Sequence, residues 1–142
     1  MTAEAGFEIL EHTADAGIVA RGATAPEAFA QAARGMYALM VDVDRVAPRE
    51  ARAIDIEAAG LDRLLARWLA ELLYLTDSER IVFSSFEVEI DPARGVLHGI
   101  ARGEPLDVTR HDARYDVKAV TYHGLQVVET PAGWRVQVIF DV

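Results

Sequence analysis

The stretch LDRLLARWLAELLYLT, residues 61–76, decides which kind of fold this chain can form. Its apolar side chains recur every three to four residues, which is the period of one helical face. The apolar positions are Leu61, Leu64, Leu65, Trp68, Leu69, Leu72, Leu73 and Leu75. We therefore predict an amphipathic helix over about Asp62 to Thr76, with a wide apolar face buried against a second layer of structure.

A start signal and a narrower apolar stripe predict another helix upstream. Thr24-Ala25-Pro26-Glu27 has the form of a capping box, in which Thr24 accepts from the amide of Glu27. Proline is tolerated in a first helical turn, because no intrahelical hydrogen bond is lost there. The residues that follow at helical spacing are Phe29, Ala33, Met36 and Met40, and the helix should end near Val41.

Period-two alternation and turn residues predict seven strands around these helices. They are Phe7–Leu10, Ile18–Gly22, Arg52–Ala58, Ile81–Ile90, Val96–Ala101, Tyr115–Glu129 and Trp134–Asp141. A change of apolar parity in the fourth strand indicates a bulge near Ser84-Ser85. The element order predicts an α+β fold in a single domain over residues 1–142, with a mixed, largely antiparallel sheet and two helices on one face.

The last two strands form a predicted hairpin that fixes the surroundings of the C-terminal residues. If the loop Thr130–Gly133 closes it, Tyr122 lies opposite Asp141 and Thr121 lies opposite Val142. A slip of one residue would turn every side chain to the other face, so the neighbourhood is better defined than the pairing. We expect the acidic end of the last strand to lie against the segment 118–123.

Composition narrows the classes of partner. The chain carries 23 acidic and 14 basic residues, a net charge of −9, and Lys118 is its only lysine. Because binding to nucleic acid depends on basic side chains that neutralise phosphates, we expect no direct nucleic-acid binding. No apolar run is long enough to span a bilayer, and the N-terminus does not resemble a secretory signal. The absence of cysteine excludes disulfides and thiolate metal sites and fits a cytoplasmic protein.

Three carboxylates would meet if the two ends of the chain were neighbours. Asp141 and the terminal carboxylate of Val142 are adjacent, and Asp15 lies in the motif 12–15 near the other end. Hard oxygen donors of this kind suit Ca²⁺ or Mg²⁺. Periodicity does not show whether Asp15 joins the terminal pair. Taken alone, Asp15 is better explained as a side chain that caps its own turn, and Asp141 as a solvated acid at a strand end.

Three blocks of this sequence resemble the archease family. They are His12-Thr13-Ala14-Asp15, Lys118-Ala119-Val120-Thr121-Tyr122-His123 and the terminal Phe140-Asp141-Val142. Gly103-Glu104 and His111 also fall where the family carries a Gly-Glu and a histidine. The six-residue block is the specific part of a resemblance that extends over essentially the whole chain.

The resemblance implies a function and a site. It implies a small α+β protein, not itself a ligase, that activates an RtcB-type RNA ligase in tRNA splicing and RNA repair by promoting its guanylylation and multiple turnover. It also implies a divalent metal site, usually calcium, which maps onto Asp15, Asp141 and the carboxylate of Val142. Magnesium or manganese would suit the same donors. Some members of the family have been linked to a tRNA methyltransferase as a chaperone-like partner.

Six further residues are candidates for contacts with the partner or for the outer shell of the metal site: His12, Glu104, His111, Lys118, Thr121 and His123. The three histidines other than His98 could bind zinc, although their spacing matches no common zinc pattern. Lys118 could balance the carboxylates or bind an acidic group of a partner or a nucleotide phosphate. A small metal-dependent hydrolase using Asp15, His123 and Asp141 is a further alternative, but the sequence offers no clear nucleophile with its base.

Overall fold

The computed structural model describes residues 4–11 and 15–142, and it confirms the α+β class. Two helices and eight strands follow one another in the described chain. The elements are β1 (Gly6–Glu11), β2 (Asp15–Gly22), α1 (Ala25–Met40), a 3-10 turn (Val43–Arg45), β3 (Glu50–Glu57), α2 (Leu61–Glu79), β4 (Ile81–Asp91), β5 (Val96–Pro105), β6 (Ala119–Val120), β7 (Gln126–Thr130) and β8 (Gly133–Asp141). No helix in the described ranges has both the length and the apolar character that crossing a membrane requires.

The strands form two sheets where we predicted one. The first sheet has the order β1-β2-β8-β6, with β7 also paired to β8, and the second has the order β3-β5-β4. Every strand pair in the described chain is antiparallel, so the expected mixed character is absent there. The sheets are separate because β3, which follows α1, pairs with β5 and with no strand of the first sheet in the described part of the chain.

Helix α1 packs against both sheets, which explains why two sheets can share one core. Its residue Gly35 lies against Phe7 of β1, where a Cβ atom would come within 3.1 Å of the Phe7 ring. On the other side, the Tyr37 ring packs on Phe83 and Phe86 of β4 at centroid distances of 5.7 and 5.8 Å. The predicted start of α1 is confirmed, because the Glu27 amide donates to Thr24 Oγ1 at 3.2 Å.

Helix α2 confirms the prediction made from its leucine stripe. Its buried face includes Leu64, Leu65, Trp68, Leu69 and Leu72, all at most 1% exposed. The Trp68 indole nitrogen donates to the carbonyl of Phe29 at 3.1 Å and so joins the two helices. The helix continues three residues past the predicted end, to Glu79, and stops at Arg80 in the left-handed conformation, with φ of 55°.

The predicted bulge in β4 is confirmed, whereas the predicted end of β5 is wrong. The register shifts between Phe83 and Ser85. Strand β5 continues to Pro105, so Gly103 and Glu104 belong to a strand and not to a loop. Gly103 is required there, because a Cβ atom would overlap the carbonyl oxygen of Val82.

The predicted long strand over residues 115–129 is also wrong. The structure has two short strands, β6 and β7, separated by a turn at Thr121–Leu125. The turn is closed by a hydrogen bond from the Leu125 amide to the Tyr122 carbonyl, and Gly124 within it has φ of 68°. Alternation of apolar residues could not reveal the break, because the turn contains no proline and only one glycine.

This turn changes the register at the end of the hairpin. The β7–β8 pairing is as predicted, with Glu129 opposite Trp134. In β6, however, Ala119 lies opposite Asp141, and the predicted partner Tyr122 lies three residues further along the chain. The predicted pairing of Thr121 with Val142 is wrong for the same reason, while the predicted neighbourhood of residues 118–123 is correct.

Candidate functional site

The strand register brings together the two acids from opposite ends of the chain. Strand β2 begins at Asp15, three residues earlier than predicted, and Asp15 lies directly opposite Asp141 of β8. Ala119 of β6 lies opposite Asp141 on the other side. Directly opposed residues of an antiparallel pair place their side chains on one face of the sheet. The two carboxylates are therefore neighbours at one end of the first sheet.

This acidic pair lies on the sheet face that points away from the helices. Along β8, Val136, Val138 and Phe140 are fully buried in the core, so Asp141 and Ile139 take the opposite face. The Ile139 side chain covers Gly17, where a Cβ atom would come within 2.6 Å of Ile139 Cδ1. Because position 17 is a glycine, the Ile139 side chain can pack over the backbone there and presents an apolar surface next to the carboxylates.

The carboxylate of Asp15 has one oxygen to which no described protein group donates a hydrogen bond. Asp15 is half-buried, and its Oδ1 atom is a buried oxygen without a hydrogen-bond partner among the described residues. A buried polar atom without a partner is costly, and the like charge of Asp141 adds to that cost. A divalent cation would relieve both, and two carboxylates are a suitable donor set for Ca²⁺.

The described residues contain no cluster of three or more histidine, cysteine, aspartate or glutamate side chains that could hold a metal ion. Asp15 and Asp141 would thus be two side-chain ligands of an ion whose other ligands are backbone oxygens or water. The predicted third ligand, the carboxylate of Val142, exists only where the chain ends at this residue. His12 lies outside the described residues.

Backbone contacts from segment 118–121 hold the end of β8 in place. The Lys118 amide donates to the Asp141 carbonyl at 2.8 Å. The amide and the hydroxyl of Thr121 both donate to the Ile139 carbonyl, at 3.0 and 2.8 Å. Thr121 therefore positions the strand that carries Asp141, while the side chains of Lys118 and His123 are exposed nearby.

Glu104 and His111 meet in a buried cluster of their own. His111 Nε2 lies 2.9 Å from Glu104 Oε2, and the Ala47 amide donates to the same oxygen at 2.8 Å. Arg110 contacts the other carboxylate oxygen at 2.6 Å. The Asp107 amide donates to His111 Nδ1, so the hydrogen-bond network assigns the His111 proton to Nε2, which donates to Glu104.

The contacts of this cluster indicate that it stabilises the fold and does not bind a metal. The Ala47 hydrogen bond, followed by those from His111 and Arg110, outweighs burial and lowers the pKa of Glu104 to about 2. Both ring nitrogens of His111 are engaged by protein groups, which leaves none for a metal. The cluster joins the end of β5 to the loop after it, and that loop is tied to the end of α1 by the hydrogen bond from the Asp42 amide to the His111 carbonyl.

A groove of about 800 Å³ lies beside α2 and was not predicted from the sequence. We call it the α2 groove. It is bounded by the C-terminal half of α2, by Leu106 and Val108, and by segment 113–120. Tyr74 could have signalled it, because this aromatic residue falls outside the leucine stripe of an otherwise well-patterned helix.

Comparison with known proteins adds an independent finding. The model of the Archease protein family (MTH1598/TM1083) matches residues 7–142. The protein archease of Sulfurisphaera tokodaii is 44% identical over 121 residues, covering 85% of this chain and 87% of the relative. That of Thermococcus gammatolerans is 40% identical over 139 residues, covering 96% of this chain and 98% of the relative.

Solved structures agree with the fold. The solution structure of Methanobacterium thermoautotrophicum protein 1598 superimposes with a TM-score of 0.84 at 39% identity, covering 96% of this chain and 99% of that one. The crystal structure of an archease, possible chaperone, from Thermotoga maritima has a TM-score of 0.64 at 17% identity and covers 94% of each chain. The second similarity supports the fold alone.

Proposed function

This chain belongs to the archease family, and from that membership we propose that it is a metal-binding activator of an RtcB-type RNA ligase in tRNA splicing and RNA repair. In this proposal it promotes guanylylation of the ligase and allows multiple turnovers in the cytoplasm, and it does not join RNA itself. The observation that carries the proposal is the opposition of Asp15 and Asp141 across β2 and β8.

The proposed metal ligands are Asp15, Asp141 and, where the chain ends there, the carboxylate of Val142. Among the described residues, no group donates a hydrogen bond to the buried Asp15 Oδ1 atom, which supports a cation at this place. We propose calcium, because an all-oxygen donor set at a strand end tolerates the irregular coordination that Ca²⁺ accepts, whereas Mg²⁺ requires near-octahedral geometry. A bound cation would supply positive charge for phosphate oxygens at an otherwise acidic edge.

The residues around the proposed metal determine what can approach it. Asp141 and His123 are exposed, and so is Tyr122 at 65%. An exposed aromatic side chain beside a charged site is typical of a protein-contact surface. Since the chain carries a net charge of −9, we expect contact with the ligase protein and not with its RNA.

A multiple-turnover ligation assay tests the proposal. Purified ligase is supplied with GTP and excess RNA ends, without this protein and then with wild type or Asp141→Asn. We expect wild type to raise the number of turnovers per ligase and Asp141→Asn to lose most of that effect while remaining folded. Glu89→Gln is the matched control, because Glu89 is an exposed strand acid on the other sheet.

Two results would count against the proposal. A ligase that performs equally well without this protein would overturn it. An Asp141→Asn protein as active as wild type would remove the acidic pair from the mechanism.

A second candidate is a chaperone-like partner of a tRNA methyltransferase. The exposed apolar side chains beside α2 favour it. It predicts protection of the methyltransferase from aggregation that is insensitive to Asp15→Ala. The hydrolase alternative predicts turnover of phosphoester substrates by this protein alone.

A further inference from the structure

A very short strand holds the end of β8 that carries Asp141. Strand β6 consists of Ala119 and Val120 alone, and it pairs with β8 at Asp141 and Phe140. On its other side, this end of β8 is paired with β2. Strands in proteins usually have roughly three to ten residues, so the few backbone bonds of β6 do little to keep it in place. Contacts outside the strand must therefore hold β6 against β8.

The segment before β6 supplies such contacts, because it is fastened to the C-terminal end of α1. The Arg114 amide donates to the Met40 carbonyl at 2.7 Å. The Tyr115 amide donates to the Leu39 carbonyl at 3.2 Å. The last carbonyls of a helix have no partner within the helix, so these bonds cap α1 and fix the segment at the same time. Val117, which follows, is 6% exposed and packs in the core.

The buried cluster of Glu104 and His111 fixes the earlier part of the same segment. His111 is fully buried, its Nε2 atom donates to Glu104 Oε2, and its carbonyl accepts from the Asp42 amide at 2.7 Å. The Ala47 amide holds the same oxygen of Glu104 at 2.8 Å. A displacement of either side chain would leave polar atoms unpaired in the core, which is costly. The cluster therefore determines the path of the chain from β5 to the end of α1.

The segment ends in bonds to the strand that carries the acidic pair. The Lys118 amide donates to the Asp141 carbonyl at 2.8 Å. After β6, the amide and the hydroxyl of Thr121 both donate to the Ile139 carbonyl. Hydrogen-bonded and packed elements thus connect His111 to the backbone of Asp141 without a gap. Energetic coupling between two sites can be carried by such contiguous contacts.

We propose that the cluster of Glu104 and His111 is a positioning element, which keeps β6 against β8 and thereby holds the Asp141 carboxylate where the proposed cation would bind. This inference rests on the proposed function, because the cation site is part of it. Neither residue of the cluster contacts the cation. Without the cluster, β6 would leave β8 more often, and binding would first have to restore the arrangement, which lowers the affinity. Because coupling between sites is reciprocal, a bound cation would also slow the opening of β6.

Amide hydrogen exchange of the metal-free protein, followed residue by residue by NMR, tests the first step. The proteins compared are wild type, His111→Ala and Glu104→Gln. His98→Ala is the matched control, because His98 also lies on β5 and also contacts a carboxylate, that of Asp55, but at an exposed position. If His111→Ala does not fold, Glu104→Gln decides the test, because it preserves the size of the buried side chain.

The measured quantity is a ratio of exchange rates. The amides of Lys118 and Thr121 report on β6, and the Ala58 amide, which donates to the Gly95 carbonyl at the other end of the second sheet, is the reference. We expect both cluster variants to raise the rates at β6 by about fivefold or more relative to the reference, and the control to leave the ratio unchanged. A general loss of stability would raise the reference rate as well, so the ratio isolates local opening of β6.

Titration calorimetry with Ca²⁺ on the same folded proteins tests the second step. We expect His111→Ala and Glu104→Gln to bind Ca²⁺ about fivefold or more weakly than wild type. The control His98→Ala should bind within about twofold of wild type. Addition of Ca²⁺ to wild type should slow exchange of the Lys118 amide, as reciprocal coupling requires.

The outcomes separate this inference from the proposed function. If wild type binds Ca²⁺ and the cluster variants bind it equally well, the positioning role is wrong, whatever their exchange rates, and the proposed function stands. Weaker binding with an unchanged exchange ratio would also overturn the inference, because β6 would not be the connection. If wild type binds no Ca²⁺, the metal site of the proposed function fails, and the positioning role fails with it.

Discussion

Replacing Glu104 by glutamine should remove a defined, pH-dependent part of the stability. The pKa of this carboxyl is about 2 in the folded protein, against 4.5 without the fold. A tenfold change in proton affinity corresponds to about 1.4 kcal/mol, so the charged form stabilises the fold by about 3 kcal/mol. Because Glu104 is only 2% exposed, solvent screening does not reduce this value greatly.

The direction of the pH dependence follows from which pKa is lower. The folded pKa lies below the unfolded one, so the stabilisation is complete above about pH 5.5 and is lost as the pH falls toward 2. The charged groups facing Glu104 are Arg110 and Arg49. A neutral glutamine would leave their donors without a charged acceptor at every pH.

Urea unfolding at several pH values measures this effect. We expect Glu104→Gln to be less stable than wild type by about 3 kcal/mol at pH 7, with the difference shrinking below pH 4 and becoming small near pH 2. Glu89→Gln, at an exposed position, should differ from wild type by less than about 0.5 kcal/mol throughout. A Glu104→Gln penalty that stays constant from pH 7 to pH 3 would refute the reasoning.

Three further predictions concern the site and the core. Asp15→Asn should stabilise the metal-free protein by on the order of 1 kcal/mol, by removing one of two opposed charges. It should also abolish the rise in melting temperature that we expect Ca²⁺ to cause in wild type; scanning calorimetry measures both. A Gly-Ser extension after Val142 should weaken Ca²⁺ binding in calorimetry relative to an N-terminal extension, and equal affinities would exclude the Val142 carboxylate. Gly99→Ala should cost about 1–3 kcal/mol in urea unfolding, because its methyl group would overlap the buried Trp68 ring.

The helices could be predicted because their signals are local. The leucine stripe of α2 and the Thr24 cap of α1 depend on residues a few positions apart, and the structure has both. The bulge in β4 was equally visible, because apolar parity changes within a single strand. In each case the spacing of residues within one segment is enough to predict the local structure of that segment.

The division into two sheets and the break between β6 and β7 depend on long-range pairing. The sequence of β3 does not determine whether it pairs with β5 or with β2, because either partner would bury Ile54 and Ile56. The turn at Thr121–Leu125 is held by contacts to β8, such as that from Gln137 Nε2 to the Gly124 carbonyl at 2.9 Å. Such contacts appear only once the strands are assembled.

The candidate site shows the same division. Asp141 could be placed at a strand end from alternation alone, but its partner Asp15 could not. The turn-like residues before Asp15 suggested a loop, whereas pairing with β8 extends β2 to include it. Glu104 and His111 likewise looked like separate loop residues, and only the extension of β5 reveals that they form one buried pair.

Strand β8 explains how a small fold can hold a charged site without a large pocket around it. Its alternate residues Val136, Val138 and Phe140 fix it in the core, so its last residues are held although Asp141 itself is exposed. Strand β2 supplies Asp15 on one side, and β6 supplies backbone contacts on the other. A carboxylate pair held in this way is positioned without a ligand, so little conformational entropy would be lost if the proposed cation bound there.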